Sequence, residues 1–412
     1  MQLLRQLMQD HLDLRSVREQ RRERVVGAEA IERREVKGSD RGLMTIFGPV
    51  NVPRLAYGRA GYSSLHPMDA ALNLPKELYS HGLRRRVAEE VTKTSFDEVI
   101  AAIAQTTGAT LAKRQAEELA LRAAQDFELF YKQRKQQSES SSILVISTDA
   151  KGIVVRKDDL RQQTRKSAEQ QNHKMAKRLS KGEKRNRKRM AQVASVYTIE
   201  PYVRSAEDIV KEFRPISQVD NKRPQVENKR VWASIEQSAE TVIGSAFDEA
   251  QKRDPKLKKI WAILIDGNPI QLDIIERKVE QLSIEPFIII DIIHVLGYLW
   301  KAAFAFNEEG SKEAEMWVTE RLFALLQDNS QHVAAGMRRS ATLRGLSKKE
   351  REPVDKCADY LLKYAPYLHY DEYLALGLPI ATGVIEGACR HLIQDRMDIN
   401  GYYWRSLVFE RR

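Results

Sequence analysis

Three apolar runs in this chain, ILVISTD, IWAILID and FIIID, each close on an aspartate: Asp149, Asp266 and Asp291. No other feature restricts the fold as tightly. Consecutive Ile, Leu and Val with no polar alternation read as strands buried on both faces, the kind found in a central sheet covered by helices. Strands are expected at 143–146, at 153–156 after a Lys151-Gly152 turn, and at 191–201, 260–265 and 287–290. Helices are expected at about 232–252, at 270–282, and from Asp291 onward, bearing His294. Strands first, then strand-helix alternation, predict a mixed sheet with helices on its faces. From 307 to 374 the sequence reads as charged amphipathic helix throughout.

The N-terminal third has a different character. A charged amphipathic helix opens the chain, and LMTIFGPVNVPRLAY reads as two short strands around the Phe47-Gly48-Pro49 turn. Pro53 marks the second of them as an edge strand, because it cannot donate to a ladder on both sides. LHPMDAALNLPKELYSHG, broken by two prolines, reads as ordered loop. Ser95 and Glu98 then match a capping box, opening a helix that stops at Thr106-Thr107-Gly108. Thr110 is the expected cap of a second helix beginning with Lys113, Arg114 and Gln115. Two helices around a three- or four-residue turn with Gly form the layout of a helix-turn-helix, and equally of a plain helical hairpin. The polar segment QQSESSS is the natural domain boundary.

An aspartate after a strand is also a common turn or helix-cap residue. Three in one sheet nevertheless gather carboxylates where strand ends hold side chains rigidly and leave them accessible. No phosphate loop, nucleophile elbow, dinucleotide glycine fingerprint or paired-histidine zinc motif accompanies them. Carboxylates brought together repel unless a cation neutralises them, and hard oxygen donors suit Mg²⁺ or Mn²⁺. Two such ions, about 3.5–4 Å apart, serve phosphodiester chemistry.

The charge distribution points to the same substrate. The chain carries a formal net charge of +11, and residues 151–190 alone hold 15 Lys/Arg against 4 Asp/Glu, an excess of 11. A concentrated basic segment is the mark of a polyanion contact. Lys184, Arg185, Arg187, Lys188 and Arg189 are expected to meet DNA phosphates non-specifically, with a steep dependence on salt. Discrimination between sequences is expected from the Lys113, Arg114 and Gln115 helix. Cys357 and Cys389 lie far apart with no metal spacing, as in a reducing compartment. No apolar run spans a bilayer, so a cytoplasmic, nucleoid-associated location in a bacterial cell is expected.

GLPIATGVIEGACRHLIQDRMD, at 377–398, is the most specific stretch. Thr382 reads as a helix N-cap, and Ile385, Ala388, Cys389 and Leu392 share a buried face. Glu386 sits at the edge of that face, one turn from Arg390. PIATGVIEGACRHLIQDRM and DIIHVLGYLWKAA, with LNLPKELYSHGLRRRVAEE and the helical segment after it, closely resemble the ISKra group of bacterial insertion-sequence transposases. The resemblance covers most of the chain. It implies an α/β ribonuclease-H-like catalytic core with an all-α insertion, preceded by a mainly helical helix-turn-helix DNA-binding domain.

By that resemblance Asp149, Asp266 and Glu386 form a DDE triad holding two Mg²⁺ (or Mn²⁺) ions, with Asp291 and His294 as a supporting D-x-x-H motif. Asp291 remains an alternative to Asp266, since each follows a buried strand. Arg390 joins the DNA contacts. The implied division is 1–41 for the N-terminal helix and 42–137 for the hairpin and DNA-binding domain. The core follows at 138–306, the insertion at 307–376 and the final core helix at 377–412. The implied activity is cleavage and strand transfer at terminal inverted repeats of double-stranded DNA, by a homodimer or larger assembly. The chain stops at YYWRSLVFERR, where the family is expected to continue through further helix. A truncated copy that only binds DNA is therefore a second expectation, and a ribonuclease-H-like nuclease a third.

Overall fold

The apolar runs become strands of one five-stranded sheet in the computed structural model, which describes residues 1–133, 142–155, 160–170, 187–213 and 223–398. The chain divides into two compact units between Arg134 and Lys135.

The first unit contains β1 (Val25–Val26), β2 (Glu32–Arg33), β3 (Glu35–Thr45), β4 (Gly48–Arg59) and β5 (Tyr62–Leu65). β3, β4 and β5 form an antiparallel sheet in that order, so β4 is its middle strand and not the edge that Pro53 suggested. Pro53 is tolerated because β5 is short: β4 pairs with β5 only at Tyr57 and Arg59, whereas Pro53 faces Asp40 of β3. At that point the strand has one neighbour, and a missing N–H costs nothing on the open side. The polar REVKGSDRG stretch lies largely in β3. The helix Gln2–Val17 adds Met8 and Leu12 to the sheet's core, and Met68 joins it from a short helix, Pro67–Ala71, in the expected loop.

Helices His81–Val91, Phe96–Thr106 and Lys113–Ala123 share a second core built on Leu83, Val87, Val99, Ile103 and Leu119. The Ser95/Glu98 capping box is present. The connector spans 107–112, longer than a tight turn, and the cap position is Ala112, not Thr110. The reason lies at Gly108, whose N–H donates to the Ile46 carbonyl at 2.9 Å. A Cβ there would stand 2.4 Å from the Phe47 carbonyl oxygen. The connector is therefore laid against the β3–β4 turn and must run further before a helix can restart.

The second unit is built on β6 (Ile143–Val154), β7 (Lys188–Ile199), β8 (Glu227–Ser234), β9 (Ile260–Ile265) and β10 (Phe287–Ile290). Their order is β10-β9-β6-β7-β8, with β10, β9 and β6 parallel and β6, β7 and β8 successively antiparallel. Two expectations are corrected. First, 143–156 is not two strands around a turn, because β6 continues through Lys151 and Gly152, paired residue by residue with β7 out to Val154–Lys188. Second, Trp232 lies in β8 opposite Ala194, and the next helix begins only at Ala239, capped by Ser238. Val231 and Trp232 are residue types favoured on a pleated surface, and the free edge of β7 takes them.

Period-two alternation sends Ala194 and Val196 of β7 to one face and Ala191 and Val193 to the other. The first face carries the main core, packed by helices Ala239–Arg253, Pro269–Leu282 and Ile292–Ala303. This core runs without a break into helices Lys312–Leu325, Ser330–Leu343 and Lys348–Lys363, through Trp317, Leu322, Met337 and Leu361. The helical stretch is thus an outgrowth of the sheet's core rather than a separate body. The opposite face carries a smaller core of Ile153, Val193, Ile385, Ala388, Cys389 and Ile393. No described helix is long and apolar enough to cross a membrane.

Candidate active site

Register places the three strand-end aspartates side by side. β6 pairs with β9 at Ser147–Leu264, and β9 with β10 at Ile265–Ile290. Continuing that register brings Asp149, Asp266 and Asp291 to one level, beyond the carboxyl ends of β9 and β10 and beyond the last pairing of β6 with β9. Asp149 occupies the point where β6 has lost β9 as a neighbour but still pairs with Val193 of β7. It is held rigidly from one side and open on the other.

The three are bound differently. Asp149 is half-buried, accepting the Ala150 N–H at 2.6 Å on one carboxylate oxygen and the Cys389 thiol at 3.1 Å on the other. Asp266 closes a turn by accepting the Asn268 N–H at 2.8 Å, and Asn268 then caps helix Pro269–Leu282. Asp291 is 1 % exposed and is itself a helix cap. Its Oδ1 accepts the Ile293 N–H at 2.9 Å, and its Oδ2 accepts the Thr382 hydroxyl. Burial pushes the Asp291 carboxyl above the ordinary aspartate range, against the pull of those hydrogen bonds. Asp266 and Asp291 therefore also do the turn and cap work that such positions commonly do, whereas Asp149 lies within a paired strand.

Glu386 reaches this group from the other side of the chain's course. The Ile292 N–H donates to the Ile380 carbonyl at 2.9 Å, which ties the segment before Thr382 to the end of β10. Helix Gly383–Ala388 follows, passing into a π-helical stretch, Cys389–Asp398. Thr382 stands at the expected N-cap position but its side chain makes no cap bond; its hydroxyl instead donates to Asp291. Ile385, Ala388 and Cys389 face the small core as their spacing predicts, and Glu386 stays exposed at its edge. Its carboxyl is raised first by partial desolvation, then by the negative charges of Asp291 and Asp149, with His294 acting the other way.

The helical outgrowth supplies a support that sequence reasoning missed. The Tyr360 hydroxyl donates to the Asp266 carbonyl at 3.0 Å, and the Tyr364 hydroxyl donates to that of Gly267. Tyr370 donates to Ile290 at 2.8 Å and Tyr373 to Ile288 at 3.3 Å. Four tyrosines thus fasten the ends of β9 and β10. The available signal was the density of tyrosines in YLLKYAPYLHYDEYL, five at three- and four-residue intervals, of which Tyr367 turns instead to Glu276.

The predicted DNA contacts are dispersed. Lys113 pairs with Asp97 at 2.8 Å, Arg114 with Glu118 at 3.2 Å, and the Gln115 side-chain oxygen accepts the Ala112 N–H. Lys188 and Arg189 begin β7, with Arg187 just before it. Arg189 is tied to the Ile235 carbonyl and to Glu236, which makes it part of the fold. Lys184 and Arg185 lie outside the described residues. Arg390 is exposed beside the Glu386 helix.

Among the described residues, no three His, Cys, Asp or Glu side chains converge tightly enough to hold a metal ion as they stand. The donor chemistry nevertheless suits a hard divalent cation. Asp291 and Asp149 act on Glu386 as like charges, and each carboxylate oxygen keeps a second lone pair. Compared with known proteins, the chain matches no family model and no curated protein.

Proposed function

We propose that this chain is a DDE-type DNA transposase that cleaves and joins strands at the terminal inverted repeats of a bacterial insertion sequence. The observation that carries the reading is the register that levels Asp149, Asp266 and Asp291 on adjacent parallel strands, with the Glu386 segment tied beside them by the Ile292–Ile380 and Thr382–Asp291 hydrogen bonds. The strand order β10-β9-β6-β7-β8, with its two parallel additions beside an antiparallel trio, is that expected of a ribonuclease-H-like core. The resemblance of 379–397 to ISKra-group transposases supports the same reading.

In this account Asp149 and Glu386 hold Mg²⁺ or Mn²⁺ together with Asp266, Asp291 or both. Divalent ions held there would supply activation of the attacking oxygen and stabilisation of the leaving one. The chain's own residues do the positioning. Cys389 and the Ala150 N–H orient the Asp149 carboxylate, Thr382 orients Asp291, and Tyr360 and Tyr364 fix the turn that carries Asp266. In-line attack by water on the phosphodiester releases a 3′-OH, which then attacks the target strand, and no covalent link to the protein forms. His294, exposed at the first turn of its helix, faces the same carboxylates. Lys113, Arg114 and Gln115 read the element ends, and a homodimer or larger assembly brings two ends together.

The test is incubation of the protein with end-containing duplex DNA and Mg²⁺. The reading predicts nicking at the ends followed by joining to target DNA, both abolished by chelation. Cleavage without joining would identify a nuclease, and sequence-specific binding without cleavage would identify a copy that only binds DNA.

A further inference from the structure

A cleft of about 480 Å³ opens beside Asp266, between its turn and helix Lys348–Lys363. Asp266 and His294 belong both to this cleft and to the candidate active site, and the opposite wall carries Lys356 and Lys363. The two lysines are seven residues apart on one helix, so they rise from the same face two turns apart, separated by about 10.5 Å along the axis. The wall is stiff. Tyr360, between the lysines, and Tyr364, just after the second, donate to the backbone of the Asp266 turn, and Tyr298 stacks on Tyr360 with ring centres 4.2 Å apart. Gly267 adopts φ +83°, and a Cβ there would meet the Tyr360 hydroxyl at 2.8 Å, so the turn and the helix are fitted to each other.

The charges on this wall are available to an incoming anion. Asp359, the second carboxylate of the lining, is already bound by Arg338. Lys356 pairs with Glu352 at 2.6 Å, but both side chains are more than half exposed, and such a pair is worth little and exchanges readily. The Lys363 ammonium lies over the Tyr364 ring at 4.8 Å. Two cations on a rigid wall next to a carboxylate site describe a seat for a polyanion that must pass that site.

We infer that this cleft holds the backbone of the DNA strand undergoing reaction, with Lys356 and Lys363 each taking a phosphate next to the one at the carboxylates. The inference rests on the transposase reading and gives the helical outgrowth a substrate-binding role. It is tested by binding of the full chain to end-containing duplex DNA over a range of salt concentrations. The expected result for Lys356→Gln/Lys363→Gln is a salt-dependence slope smaller by about 2, roughly one unit per lost phosphate contact, at an unchanged melting temperature. Lys356→Arg/Lys363→Arg should restore the slope. Lys348→Gln/Lys349→Gln, on the same helix outside the cleft, should leave it unchanged. A wild-type slope in the cleft double variant would overturn the inference, as would an equal change in the Lys348/Lys349 variant. Either result would leave metal-dependent cleavage, and with it the transposase reading, intact. Failure of the wild-type protein to bind DNA would overturn both.

Discussion

At the scale of single residues, Asp291 shows how a structural and a chemical role coexist in one carboxylate. It caps a helix, anchors Thr382 and is almost fully buried, and burial raises its carboxyl above the ordinary value. A carboxyl raised on folding holds its proton better in the folded than in the unfolded state. Its contribution to stability is therefore greatest at low pH and is lost as pH rises through the window above the ordinary aspartate value. In metal-free protein, the melting temperature of Asp291→Asn relative to wild type should climb as pH rises through that window. A difference independent of pH would show that Asp291 is ionised with no penalty. Tyr360→Phe removes one hydroxyl and its bond to the Asp266 carbonyl. It should cost about 1 kcal/mol and speed hydrogen exchange at the Asn268 N–H, which closes the Asp266 turn.

At the scale of elements, the Asp266 turn and helix Lys348–Lys363 behave as one unit. Gly267→Ala forces a side chain into left-handed backbone and against the Tyr360 hydroxyl, and should destabilise by about 1 kcal/mol or more. In a Tyr360→Phe background the obstructing oxygen is gone, so the same substitution should cost less. Additive losses in thermal melts of the single and double variants would contradict the contact. The same elements show what the sequence could and could not reveal. Strands β9 and β10 were legible because both faces are covered, leaving unbroken apolar runs. β8 was not, because ENKRVWAS has one open edge and half-exposed side chains and carries no such run. The reach of β6 past Asp149 was hidden because Lys151-Gly152 imitates a turn, and only the length of β7 carries the strand through it. Glu386 was legible from its place beside a patterned helix face. That it answers to Asp291 as well as Asp149 depends on Thr382 bonding across 91 positions of chain, which local pattern does not encode.

At the scale of the whole molecule, the net charge of +11 equals the excess within residues 151–190, so the basic charge is concentrated in one part of the chain. DNA binding should weaken steeply with salt, in proportion to the phosphates neutralised. Binding to non-specific duplex that is flat from low to physiological salt would contradict this. The central claim concerns the carboxylates that the second unit gathers at its strand ends. The most direct test compares Mg²⁺-dependent cleavage of end-containing DNA by wild-type protein, Asp149→Asn and Glu386→Gln, with DNA affinity measured in parallel. Loss of cleavage in both variants at near wild-type affinity is the predicted result, and full activity in Glu386→Gln would contradict the account.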